Sequence, residues 1–149
     1  MSTTMKGGCA CGAIRYLASA PPRAGIHCQC RACQKSSGTG HTSNMVFEAS
    51  CFAMDGPIKF WPSQADSGHT VNRGFCEQCG SPILSNSSGM PGLVFVRAAS
   101  LDDPDIFLPT MIIHGNSAPE WDAIDLTLPY FSTEPNANAG KNIAVANGD

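Results

Sequence analysis

The chain carries little charge and no long apolar run. Only 14% of its 149 residues are Asp, Glu, Lys or Arg, and together they leave a formal charge of −3. That balance gives no general attraction for phosphate backbones or anionic lipid, so no nucleic acid partner is expected. No apolar stretch approaches the ~20 residues that a membrane helix requires, so no membrane association is expected either. Met1 to Gly8 lack the apolar core of a secretory signal, which points to a cytoplasmic protein whose thiols stay reduced. There is no internal repeat, and the length suits one domain rather than two.

What the chain has in quantity is turn residues, with 15 Gly and 11 Pro. They punctuate short apolar runs, which predicts strands rather than a helical bundle. Ile14 and Tyr16 alternate with Arg15, the pattern of a half-buried strand over 13–17. Residues 45–54 read as one strand, ended by Asp55-Gly56-Pro57, and 58–61 as another before a polar loop at 63–68. Further short strands are expected at 71–75, 83–84, 93–96 and 111–113, with a polar loop at 36–40. The single helical segment expected is 119–124. From Ser132 onward there is little to bury, so the reading is one mostly antiparallel β domain over 1–131 and a flexible tail over 132–149.

Eight cysteines in a chain without a secretory signal read first as metal ligands. Cys76-x-x-Cys79-Gly80 can fold into a tight knuckle with both sulfurs on one ion, and Gly80 can take the positive φ that turns N–H groups toward the thiolates. One such pair cannot complete a tetrahedron. Cys9-x-Cys11-Gly12 is a similar half-site, and a shared ion would tie the start of the chain to its middle. Cys28-x-Cys30-x-x-Cys33 offers three sulfurs within six residues. Three protein ligands with a vacant position is the arrangement of catalytic zinc, and four that of structural zinc. His27, His41, His69 and Cys51 remain candidates for the fourth place, so a purely structural second site stays open. Cys51 lies in an apolar run without a spaced partner and reads as a core thiol. A redox role for Cys76 and Cys79 is disfavoured because no βαβ pattern surrounds them. Arg31 and Lys35 beside the three-cysteine cluster, and Arg73 before the knuckle, are candidate contacts for an anionic substrate; the plainer alternative for each is a solvated surface charge.

Taken together, GGCACGAIRY at 7–16, CQCRACQKSSG at 28–38 and RGFCEQCGSPI at 73–83, with ASLDDPD at 99–105 and PEWDAI at 119–124, resemble the glutathione-dependent formaldehyde-activating enzyme family, which includes centromere protein V domains. The resemblance covers nearly all of 5–131. It implies a β-tent fold of antiparallel sheets held by zinc, with Cys9, Cys11, Cys76 and Cys79 as structural zinc ligands and Cys28, Cys30 and Cys33 as ligands of a second, catalytic zinc. Gln29 stands where many members have a histidine, a departure that leaves the ligands intact. The implied activity joins a small-molecule thiol, glutathione in the namesake reaction, to formaldehyde, and is classed as a carbon–sulfur lyase. His41 and His69 are then candidates to bring a proton to the new hydroxyl, and Arg31, Lys35 or Arg73 to meet the carboxylates of glutathione. The rival readings are a thiol-adduct enzyme or carrier with another substrate, and a non-enzymatic zinc module that binds a partner. The second expects a basic surface, which this acidic chain lacks.

Overall fold

A computed structural model describes residues 4–135. Ten strands form two sheets. β1 (Met5–Gly8), β2 (Arg15–Ala18) and β5 (Phe52–Asp55) make a small sheet in the order β1-β2-β5. The large sheet adds β3 (Ala24–Cys28), β4 (Thr42–Glu48), β6 (Ile58–Gln64), β7 (Thr70–Cys76), β8 (Pro82–Ser87), β9 (Leu93–Arg97) and β10 (Met111–Ile113). Its order is β10-β3-β4-β9-β8-β7-β6, antiparallel throughout except where β10 runs parallel to β3. The mostly β class read from the sequence is therefore the class observed.

Burial explains the pattern. In β2 the alternation puts Tyr16 and Ala18 inside and Arg15 and Leu17 outside. Together with Met5, Met45, Phe47 and Val96 they form the main core. Strand β4 is central and covered on both faces, so its Met45-Val46-Phe47 run is continuous rather than alternating: Met45 and Phe47 join the main core, while Val46 packs with Ala24 and Ile26 on the other face.

Three local expectations change. The segment 45–54 is not one strand. A 3-10 turn at Ala49–Cys51 breaks it, held by Ala49 N–H on Gly92 O (2.8 Å) and by Cys51 O, which accepts from Ser19 N–H (2.9 Å). There the chain leaves the large sheet for the small one, with Cys51 half-buried at the crossing rather than in the core. Residues 119–124 form no helix; one turn bond, Asp122 N–H to Pro119 O, is all they share. The α-helix lies instead at Arg31–Ser37 (α1). It starts because the Cys30 side chain accepts from Cys33 N–H, and it stops at Gly38, which is left-handed with φ 78°. No helix among the described residues is long and apolar enough to cross a membrane.

The chain remains paired beyond residue 131. Ser132 O and Thr133 O accept from Asn116 and His114 N–H groups, and His114 Nε2 meets Glu134 Oε1 at 2.9 Å. The remainder of the expected tail, 136–149, lies outside the described residues.

Candidate metal centres and active site

Both Gly-terminated cysteine motifs are hairpin tips. Residues 9–14 turn β1 into β2, closed by Cys9 N–H on Ile14 O and Gly12 N–H on Cys9 O. Residues 76–81 turn β7 into β8, closed by Cys76 N–H on Ser81 O and Gly80 N–H on Cys76 O. Gly12 and Gly80 both take the positive φ (82° and 79°) these tips require. One tip belongs to each sheet, and they meet: Ala10 N–H donates to Ser81 Oγ at 3.0 Å. The sulfurs of Cys9, Cys11, Cys76 and Cys79 then lie within 4.8 Å of one another. Cys9 and Cys11 are 3.5 Å apart, Cys11 and Cys76 3.8 Å. A tetrahedron with metal–sulfur bonds of about 2.3 Å has edges of about 3.8 Å, so this four-sulfur group fits a single soft cation. Its surroundings favour thiolate at two of the four: Ile14 N–H donates to Cys9 Sγ (3.2 Å), and the Ser81 hydroxyl and backbone hold the Cys79 thiol down to about 5, whereas, against a backbone hydrogen bond from Ala13, the neighbouring Cys9 pushes Cys11 up to about 11.

The second group sits at strand ends. Cys28 closes β3, Cys30 caps α1, and Cys33 lies in its first turn, 3.3 Å from Cys30 Sγ through its N–H. All three sulfurs lie within 4.8 Å of one another, and no other Cys, His, Asp or Glu among the described residues joins them. Hydrogen bonds within the trio hold the Cys33 thiol far below the usual range, helped by the Thr42 hydroxyl and the charge of Arg97, and push Cys28 far above it. Three adjacent thiols cannot all ionise without a cation among them. The donor set and its spacing therefore fit a metal with three protein ligands.

Arg97 supplies part of the local field. It is 7% exposed, donates to Asn44 Oδ1 (3.3 Å) and Ser36 Oγ (3.0 Å), and its charge acts on all three sulfurs. Arg97 and Thr42 also line a cleft of about 560 Å³ that contains His41, Ser43 and Ser100 and runs to Cys9 of the four-sulfur group and to the neighbouring Ser81. Behind the trio, Gln34 Nε2 donates to Gln29 O and Ser117 O, and the buried Gln29 donates through Nε2 to Asp122 Oδ2 at 3.0 Å. Asp122 also holds His41 Nδ1, at 2.9 and 3.0 Å.

The candidate contacts separate into near and far. His41 lines the cleft. His27 lies edge-on to His41, its Nδ1 on Ser43 Oγ at 2.9 Å, and burial followed by the neighbouring His41 lowers its pKa. Arg31 and Lys35 are exposed on α1, with Arg31 turned onto Gln34 Oε1. Arg73 donates to Ser63 Oγ and is close enough for its charge to act on Arg97. His69 is far: β7 and β8 place it beside the turn after Ser87, its ring against Gly89, at the opposite strand end from Arg97. Arg97, Asp122 and Gln29 were not singled out as site residues by sequence reasoning. Asp122 had a signal in its place within PEWDAI, and Gln29 in its place within CQCRACQKSSG; Arg97 had none.

Residues 4–117 match the family model described as glutathione-dependent formaldehyde-activating enzyme. The chain belongs to this family. Its fold is also similar to a crystal structure of a Rhodobacter sphaeroides protein, with a TM-score of 0.51 and 16% identity, covering 85% of this chain and 99% of that one. No curated protein matches it significantly. Within the family's matched span lie all seven clustered cysteines, the helix α1 and Arg97; Asp122 falls just beyond it.

Proposed function

We propose that this family member is a zinc-dependent carbon–sulfur lyase-like enzyme of the cytoplasm, which joins a thiol such as glutathione to formaldehyde or another small aldehyde. The unit that does so is residues 1–131. Two zinc ions are held, one by Cys9, Cys11, Cys76 and Cys79 for structure, the other by Cys28, Cys30 and Cys33 for catalysis. The observation that carries this reading is the inequality of the two groups, four sulfurs against three, with no further protein ligand beside the three among the described residues. Zinc at the three-cysteine group supplies a cation that favours the thiolate form of a substrate thiol, whose ordinary pKa is about 8.5.

The chain's own residues do the rest. The cleft lined by His41, Thr42 and Arg97 brings a thiol and a small aldehyde together, and Thr42 and Arg97 link it to the three sulfurs through a hydroxyl bond to Cys33 and a nearby charge. Arg31, Lys35 and Arg73 are the cations available to the two carboxylates of glutathione. The new bond joins sulfur to the carbonyl carbon, and the proton lost by the thiol ends on the former carbonyl oxygen. Exchange spectroscopy on 13C-formaldehyde with glutathione tests this. The expected result is adduct exchange accelerated by the protein and lost, by ~100-fold or more, in Cys30→Ser. Acceleration that survives in Cys30→Ser at equal zinc content contradicts it.

A further inference from the structure

A buried carboxylate stands behind His41 for which the zinc chemistry gives no role. The Asp122 side chain is 6% exposed, and its oxygens take two side-chain donors. One is Gln29 Nε2, between Cys28 and Cys30; the other is His41 Nδ1. Gly40 makes the approach possible, since a Cβ there would stand 2.2 Å from Asp122 Cγ. The carboxylate is thus packed against the backbone before His41 and tied to the loop between two of the clustered cysteines. A carboxylate only accepts, so His41 Nδ1 carries the proton. Nε2 has no protein partner among the described residues, and His41 lines the cleft together with Arg97 and Thr42, of which Thr42 lies opposite Cys28 in the sheet and bonds Cys33 through its hydroxyl.

We infer that Asp122 is a positioning residue that fixes His41 as the Nδ1–H tautomer and leaves Nε2 to carry the proton of thiol–aldehyde addition. This rests on the proposed function. In the forward direction Nε2 accepts the thiol proton, the sulfur forms its bond to the carbonyl carbon as the C=O π pair moves to oxygen, and Nε2 returns the same proton to that oxygen. Nothing is oxidised or reduced. In cleavage the same nitrogen takes the hydroxyl proton and returns it to the leaving sulfur. His27 lies beside His41 but keeps its own partner, Ser43 Oγ, and does not compete for Asp122.

The test pairs 15N spectroscopy of the histidine ring with kinetics, on the full zinc-loaded chain. In the native protein His41 shows the Nδ1–H tautomer. In Asp122→Asn, whose amide can donate to Nδ1, it shifts to Nε2–H while the thermal melt stays cooperative. There kcat falls ~100-fold and KM stays within about twofold. His41→Ala falls at least as far and regains part of its rate with added imidazole. An Nε2–H tautomer in the native protein, or Asp122→Asn that changes tautomer and keeps its kcat, overturns the inference. A native protein that shows the Nδ1–H tautomer but forms no adduct with any thiol and aldehyde contradicts the functional reading instead and removes the catalytic half of this one, leaving the positioning of His41 in place.

Discussion

Single residues around the three-cysteine group do different work, and the differences are measurable. Arg97 is a buried cation whose partners are neutral, Asn44 and Ser36, so its charge is directed at the sulfurs. Arg97→Met removes that field and leaves the four-sulfur group untouched. Chelator competition will show metal affinity falling about tenfold or more at one site only. Gly40→Ala drives a methyl into Asp122 and costs about 1–3 kcal/mol in urea unfolding, together with the loss of the Nδ1–H tautomer. Neither residue was legible from the sequence in this role. Arg97 meets Asn44 across 53 positions and Asp122 meets His41 across 81, and such pairings exist only after the sheet has formed. The cysteines were legible because their spacing is local: each motif makes its own turn before any tertiary contact.

At the level of elements, two hairpin tips and one short helix carry the sulfurs. Gly80 takes φ 79° with nothing near a prospective Cβ, so Gly80→Ala costs only backbone strain, about 1 kcal/mol, and leaves the proposed zinc affinity of the four-sulfur group unchanged. That contrast with Gly40→Ala separates conformational strain from collision. A second element-scale device is the last described segment, where Glu134 raises the pKa of His114 by its hydrogen bond. The folded pKa lies above the unfolded one, near 6.5, so the contribution is full below that value and is lost as pH rises through the folded pKa. Glu134→Gln will therefore lower stability at about pH 6, by under about 1 kcal/mol because Glu134 is half exposed, and leave it unchanged at about pH 9. Strands were legible where burial alternates, as at Arg15–Ala18, and obscured at 45–54, where an apolar run continues through a crossover between sheets. Helix α1 was missed because its start is a cysteine cap and its seven residues are mostly polar, whereas the Pro119 segment looked helical but spends Asp122 on His41.

Across the whole molecule, the four-sulfur group joins the tip of the small sheet to the tip of the large one, 65 residues apart along the chain between Cys11 and Cys76. Cys76 is fully buried, so Cys76→Ser removes both a ligand of the proposed zinc and the link between sheets and will lower the melting temperature by on the order of 10 °C or more, whereas Cys30→Ser lowers it far less. The class of fold was readable because composition is a property of the chain itself, whereas the division of the cysteines was suggested by motif spacing and implied by the family resemblance. The cleft lined by Cys9, His41, Thr42 and Arg97 was not readable, because residues from β1, β2, β4, β8, β9 and the segments that join strands line it together. In the proposed function one cysteine group is closed and the other open. Cadmium-113 spectroscopy of the cadmium-loaded protein, with and without glutathione, tests it directly. Two resonances are predicted; the one absent from Cys30→Ser moves when glutathione is added, and the other stays. A single resonance, or two that both ignore the thiol, would contradict this division.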